Sequence, residues 1–404
     1  MVIWAYLGLF VLAVFAVLIL YFERVAYDKR TLIISSVLVF AAMALRGAFI
    51  GYETLDYQNF LTKWVDFFRE NGGFAALSEN IGNYNVPYLY FLALFSYSGV
   101  KDLYLIKLLS VFFDVILAWG VMRLVYIYKK TPRAVLTAFF LTLFLPTVVL
   151  NGAVWGQCDS IYASLAVWSV YFAITRRGVL SMVFMALSFS FKLQAVFVMP
   201  VFLIFLFSGR IKWRCLPAFP LTYVVCVLPA VAAGRPFLDT LTLYLSQAGS
   251  IGSGLNYNSP SVFAIIRNVE NTTLFSTLGI AAAFAFLSLV YFWMYTRRGE
   301  ITDRTLIALT ALICIAVPFL LPHMHERYFF LADVFSLVLA IVSPLGIPAA
   351  ACVSFASLLG YHAYLKMRFL LPMRYGAWAL IAAIAVCAVC AALSLHVQQR
   401  KRRA

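Results

Sequence analysis

Residues 179–208 read VLSMVFMALSFSFKLQAVFVMPVFLIFLFS. Within this apolar run only Lys192 and Gln194 carry large polar groups, and basic residues bracket it, Arg176 and Arg177 before and Arg210, Lys212 and Arg214 after. The run is too long for one buried strand and shows no alternation of period two, so it reads as helix. Like-charged basic flanks place both ends on one side of a bilayer, so the chain must cross and return. Each leg has about 15 residues, roughly 22 Å at 1.5 Å per residue, against a hydrocarbon core of roughly 30 Å. The turn at Lys192, Leu193 and Gln194 is therefore expected below the outer surface, enclosed by protein.

The rest of the chain follows the same logic. Of its 404 residues 64% are hydrophobic and 12% charged, which marks an all-α polytopic membrane protein. Continuous apolar runs choose helices over the alternating strands of a barrel. Thirteen spans are expected, near 2–22, 31–49, 103–128, 134–150, 160–175, 178–192, 194–208, 215–232, 274–294, 305–321, 328–342, 347–365 and 376–396. Residues 2–22 lack a basic leader and are long enough to span, so they read as a retained helix. Placing 23–30, 129–133, 176–177, 209–214, 296–304 and the tail in the cytoplasm puts 18 of the 31 Lys and Arg in short loops. An odd number of spans then leaves the N-terminus outside and the C-terminus inside. The net charge of +15 thus follows from topology, with anionic lipid as the secondary partner and nucleic acid not expected.

The chain reads as a single transmembrane domain, 1–404, with an additional N-terminal helix and cytoplasmic turn (1–30) and two large outer loops, 50–102 and 233–273. The apolar stretch 86–99 is too short to cross and is expected to lie in or re-enter the membrane within the first loop. Cytoplasmic loops hold no glycine-rich phosphate cradle, so a soluble nucleotide cosubstrate is not expected. The outer loops carry Glu53, Asp56, Asp66, Glu70, Glu79, Asp102, Asp239 and Glu270, so chemistry is expected at the outer face. The seven cysteines suggest no disulfide framework, and Cys387 with Cys390 reads as helix packing.

DYQNFLTKW (56–64), NYNVPYLYFLALF (83–95), WGQCDSIYASLAVW (155–168), FKLQAVFVMP (191–200) and HMHERYFFLADV (323–334) form an ordered set. This set resembles the bacterial integral-membrane proteins related to the GPI mannosyltransferases, within the GT-C class of polyprenyl-phosphate-sugar-dependent glycosyltransferases. The resemblance covers roughly residues 45–340; the N-terminal helix is an addition, and the segment after 345 carries no shared motif. It implies a GT-C-like fold whose first outer loop contains membrane-lying helices. It also implies inverting transfer of a hexose, mannose favoured, from a polyprenyl phosphate to an acceptor hydroxyl on a glycan, glycolipid or cell-envelope polymer, at the outer face of the plasma membrane. No cofactor or metal is implied.

Attack of a hydroxyl on an anomeric carbon needs a carboxylate to take the proton. Asp56 matches the family's loop aspartate through its spacing to Phe60 and Trp64, with Glu53 as the local rival. Charge growing on the leaving phosphate needs fixed cations. Arg327 offers a bidentate fork, His325 a hydrogen bond or a charge, and Lys192 a second cation, with Gln194 beside it. Each also has a structural reading: a solvated loop acid, a snorkelling arginine, a lysine paired to an acid. Gln157, Asp159 and Glu326 are the remaining expected substrate contacts, Asp159 serving equally to orient Lys192 or to cap its helix. Tyr84 and Trp155 could stack on sugar faces or anchor at the interface. His323, His325 and Glu326 as zinc ligands form a weak pattern without a further ligand.

The competing class is a lipid or polyanion transporter or flippase. It would concentrate charge near the midplane on broken helices rather than in the first outer loop. The topology has a direct test in a variant without native cysteines. Lys63→Cys and Asn256→Cys are expected to react with an impermeant thiol reagent on intact cells, and Lys130→Cys and Arg298→Cys are not. Labelling at position 130 would overturn the orientation.

Overall fold

The computed structural model describes residues 2–245, 254–266 and 270–403, and its regular structure is almost entirely helical. The helices in chain order are α1 (Val2–Phe22), α2 (Lys29–Gly47), α3 (Thr62–Glu70), α4 (Val86–Phe95), α5 (Asp102–Tyr126), α6 (Pro132–Leu143), α7 (Pro146–Val149), α8 (Asp159–Ile174) and α9 (Gly178–Phe191). They continue with α10 (Val201–Phe207), α11 (Ala218–Ala232), α12 (Phe237–Leu241), α13 (Thr272–Thr296), α14 (Asp303–Leu320), α15 (Phe330–Val342), α16 (Ile347–Leu365) and α17 (Arg374–Arg403). One short parallel pair, β1 (Asn256–Tyr257) with β2 (Met324–His325), ties the second large loop to the segment before α15.

The protein is a polytopic α-helical membrane protein. Among the described residues eight helices are long and apolar enough to cross a bilayer, nine if α6 and the helical stretch Pro146–Trp155 count as one span bent by 42°. Pro146 accounts for the bend, because its missing N–H cannot continue the α6 ladder. The outer helices are apolar where they face outward: Phe284, Leu289 and Phe292 of α13 are each about two-thirds exposed or more. In water such a surface would drive association; against lipid it needs no cover.

Four of the thirteen expected spans, 160–175, 178–192, 194–208 and 328–342, fall on helices too short to cross a bilayer alone. Every residue of α8 except Trp168 is buried, and α14 is buried from Thr305 to Phe319. α8 lies against α5 and α9, with Ser160, Ser164 and Ser169 letting the backbones approach. The expected helix over 194–208 is not continuous. Lys192 is extended, Leu193–Phe197 forms a 3₁₀ turn, and α10 begins only after Pro200, whose ring excludes it from a helix interior. The first large loop, 50–102, folds into a π-helical turn (Tyr57–Leu61), α3, a 3₁₀ turn (Gly73–Ser78) and α4. α3 is amphipathic, burying Trp64, Val65 and Phe68 while Asp66 and Arg69 pair at the surface.

A charged cluster that no motif marks holds the centre. Arg46 of α2 and Asp114 of α5 are fully buried and bonded at 2.9 Å. Arg46 also donates to the carbonyls of Ala42 and Leu143, and Asp114 accepts from the Ser160 hydroxyl. Four helices, α2, α5, α6 and α8, meet there. Nearby, the Lys107 ammonium donates to the carbonyls of Phe49 (2.7 Å) and Tyr52 (2.6 Å), fixing the path of the chain as it leaves α2.

Removing one partner of a buried pair strands the other charge, at a cost of about 3–5 kcal/mol. Arg46→Ala is therefore expected to lower the thermal unfolding midpoint in detergent sharply. The Arg46→Met/Asp114→Leu double replacement should recover most of the loss. Equal midpoints for wild type and Arg46→Ala would show that the pair does not hold the helices.

Candidate functional site

After the α6–α7 bend the chain makes a π-helical turn, Leu150–Trp155, and reverses at Gly156, which has φ +79°. This left-handed residue is what glycine allows without a Cβ penalty. The turn delivers Trp155 and Gln157 to the first large loop. The Trp155 ring nitrogen (2.8 Å) and the Gln157 amide (2.7 Å) both donate to Oδ2 of Asp56. Thr54 donates to the Trp155 carbonyl at 3.0 Å, so backbone and side chains join the same two segments. The Asp56 amide donates to the Tyr364 hydroxyl, and the Tyr364 ring stacks on Trp155 at 3.8 Å.

Beneath Asp56 lies a second carboxylate, Asp159, the first residue of α8. It accepts from the Lys192 ammonium and, at 2.7 Å, from the Asn151 amide, which also donates to Tyr361. Its side chain makes no capping bond to α8, so of its two expected uses the structure shows the orientation of Lys192. Arg327 stands between the two acids. Its Nη1 is 3.8 Å from Asp56, its Nε 3.9 Å from Asp159 and its Nη1 3.4 Å from Glu326, while the guanidinium lies 5.2 Å over the Trp155 ring. These distances leave its hydrogen-bonding capacity largely unspent, and Nε, although buried, has no hydrogen-bond partner.

Lys192 and Arg327 border a cavity of about 630 Å³. Tyr84, Gln194, His325 and Tyr257 share its polar side, and Phe191, Val196, Phe197 and Ile280 form an apolar wall. The buried Oε1 of Gln194 lacks a partner there. The Tyr84 ring lies 5.3 Å from the Lys192 ammonium, and its hydroxyl donates to Gln157. Val196 and Ile280 are more than a third exposed, so the wall continues to the outer surface of the bundle.

The expected residues therefore converge, with exceptions. Glu53 lies outside: Lys101 (2.5 Å) and Gln58 (3.1 Å) engage its carboxylate, and the Lys101 contact holds its pKa below the ordinary value. Trp155 is neither an interfacial anchor nor a sugar platform, because it is buried with Tyr364 on its ring and Arg327 beside it. His323 does not join His325 and Glu326. Its ring nitrogens face the Gly254 carbonyl and the Ser276 hydroxyl, and no group of three His, Cys, Asp or Glu suited to a metal occurs among the described residues. His325 lies flat against Tyr257 at 4.7 Å. Burial, then the neighbouring Arg327 charge, pushes its pKa down to about 4, so at neutral pH it offers a hydrogen bond and not a charge. Burial pushes Glu326 the other way, above the usual carboxylate value.

Asn151, Tyr361 and Tyr364 belong to the site without having been anticipated from sequence. The two tyrosines come from α16, in the region without a shared motif. A hint lies beside them at Gly360, where a Cβ would meet the Glu326 carbonyl at 2.8 Å: α16 and the HER segment approach as closely as glycine permits. No family model matches the chain, and no curated protein is significantly similar to it.

His325 gives the site a pH signature. An unfolded histidine takes its proton near pH 6.5 and the folded one only near 4, so between these values the unfolded chain binds more protons and stability falls as pH drops. The side chain is 39% exposed, and screening keeps the effect modest. Unfolding midpoints from pH 7 to 4 should fall less steeply in His325→Gln than in wild type. Parallel slopes would place the histidine at its ordinary value.

Proposed function

We propose that the protein is a GT-C-like inverting glycosyltransferase that takes a hexose, mannose favoured, from a polyprenyl-phosphate donor and joins it to an acceptor hydroxyl at the outer face of the plasma membrane. The observation that carries the reading is the underused Arg327 guanidinium. It borders a cavity with an apolar wall while lying 3.8 Å from a carboxylate already oriented by two donors. A cation awaiting an anion, an apolar channel and a positioned base are the three groups this reaction needs. In this reading the short and broken helices α8, α9, α10 and α15 count as partial crossings, which together with the α6–α7 span gives the thirteen of the GT-C-like topology.

The donor phosphate sits against Arg327 and Lys192, with its isoprenoid tail along Val196, Phe197 and Ile280. The acceptor hydroxyl approaches Asp56 from the side opposite the phosphate. Trp155 and Gln157 hold Oδ2, and the other carboxylate oxygen, Oδ1, takes the proton. As the acceptor oxygen bonds to the anomeric carbon, the bond to the phosphate oxygen breaks. The electron pair leaves on the phosphate, where the two fixed cations oppose the growing charge. One displacement inverts the anomeric centre.

Glu53, with both carboxylate oxygens engaged, has no part in this scheme. Transporters instead need mobile charge, and here Lys192 and Arg46 are each locked to a buried acid, which favours the enzyme over the transporter.

Transfer of labelled sugar from a synthetic polyprenyl-phosphate donor by purified protein tests the assignment. Asp56→Asn should cut turnover by about 100-fold or more with donor binding retained. Arg327→Ala should lose both, and Glu53→Gln should stay near wild type. An inactive Glu53→Gln beside an active Asp56→Asn would move the base to Glu53, and full activity in both would remove the first outer loop from the chemistry.

A second expectation concerns metal. Arg327 and Lys192 supply the positive charge that a bound cation supplies elsewhere, so treatment with a chelator should leave the transfer rate unchanged. Activity restored only by added Mg²⁺ or Mn²⁺ would make Asp56 a ligand instead of a base.

A further inference from the structure

At the other end of α5 from the candidate site, the ends of α1, α5 and α6 enclose a second cavity, of about 320 Å³. Glu23, Arg24, Arg123 and Lys130 supply its charges, and Met122 and Val135 are among its apolar lining. Glu23 is fully committed: one carboxylate oxygen accepts from Trp119 (2.7 Å) and the other from Arg123 (2.8 Å), which also donates to Tyr171. That pair cancels. Arg24 and Lys130 remain, both exposed, and among the described residues neither side chain has a hydrogen bond or an ion pair, so two positive charges that no acid of the protein offsets border the cavity.

Two backbone features point the same way. α1 ends in a turn in which the amides of Val25 and Ala26 return to the Leu20 carbonyl, and this turn puts Arg24 at φ +55°. Glycine is the usual occupant of such a position, since a side chain there is strained. The chain accepts that strain and keeps an arginine facing the cavity. Across it, α6 begins at Pro132 with no side chain capping its first turn, so the positive end of a twelve-residue helix adjoins the same space. Tyr21, Phe22 and Tyr126 are exposed around it, as aromatic residues are at the edge of a bilayer.

We infer that this cavity binds a phosphate group, carried by an anionic lipid of the adjoining leaflet. The phosphate meets Arg24, Lys130 and the first turn of α6, and the acyl portion leaves past Tyr126, which lines the cavity and is 47% exposed. The site is independent of the transfer chemistry proposed above.

The test uses the full chain in a neutral detergent, titrated with dispersed phosphatidylglycerol, phosphatidylcholine or sodium phosphate, with binding followed by native mass spectrometry and by the shift in unfolding midpoint. Wild type should bind phosphatidylglycerol saturably and in preference to phosphatidylcholine. Arg24→Gln/Lys130→Gln should weaken that binding at least 10-fold. Lys129→Gln/Arg133→Gln removes the same charge from residues that do not line the cavity and should leave binding unchanged. Arg24→Gly guards against a folding artefact: relief of the left-handed strain should raise the midpoint without lipid, while affinity still falls. Equal losses in the two double variants, or no preference between the lipids, would overturn the site. Saturation by sodium phosphate at the same concentrations would overturn the lipid as the carrier.

Discussion

Asp159 is the residue on which the site depends. A carboxylate with 2% of its side chain exposed costs several kcal/mol to leave unpaired, and here Lys192 and Asn151 bond to it and Arg327 stands close. The dependence runs both ways, since an ammonium and a guanidinium buried at this depth need a fixed negative charge. The first turn of α8 suits that charge, because the unpaired amides of a helix start favour an anion. One side chain thereby sets the position of the turn after α9, the π-helical turn after α7 and the segment before α15.

The next residue ties this arrangement to the scaffold. Ser160 donates to Asp114, the partner of Arg46, so consecutive residues of α8 face two different charged clusters. Successive helical side chains diverge by about 100°, which is enough to direct one toward the cavity and the other toward α2 and α5. A shift of α8 that loosened one cluster would loosen the other. The helix is held by charge at its start and by small-residue packing along its length.

Much of this was legible in the sequence because ionisable residues in apolar runs are costly and therefore conspicuous. Lys192, Asp159 and Arg327 stand out on that ground alone. The partners were not legible. Arg46 and Asp114 lie 68 positions apart, and nothing local says which charge meets which. Tyr361 and Tyr364 share a helix face, but tyrosines in membrane helices serve as anchors, packing groups and hydrogen-bond donors alike, so spacing assigns no role. The segment 194–208 shows the opposite fault. Its hydropathy argues for one helix, whereas Pro200 carries the local rule that divides it.

The burial of α8 bears on how the protein meets membranes of different composition. Hydrophobic mismatch acts on helices that touch lipid, which tilt or bend to match the bilayer. α8 is shielded on every side and too short to register that thickness, while α1, α11 and α13 present most of their side chains outward. Changes in bilayer thickness are thus absorbed by a compliant outer layer, and the charged centre around Asp159 and Asp56 keeps its spacing as the surrounding lipid varies.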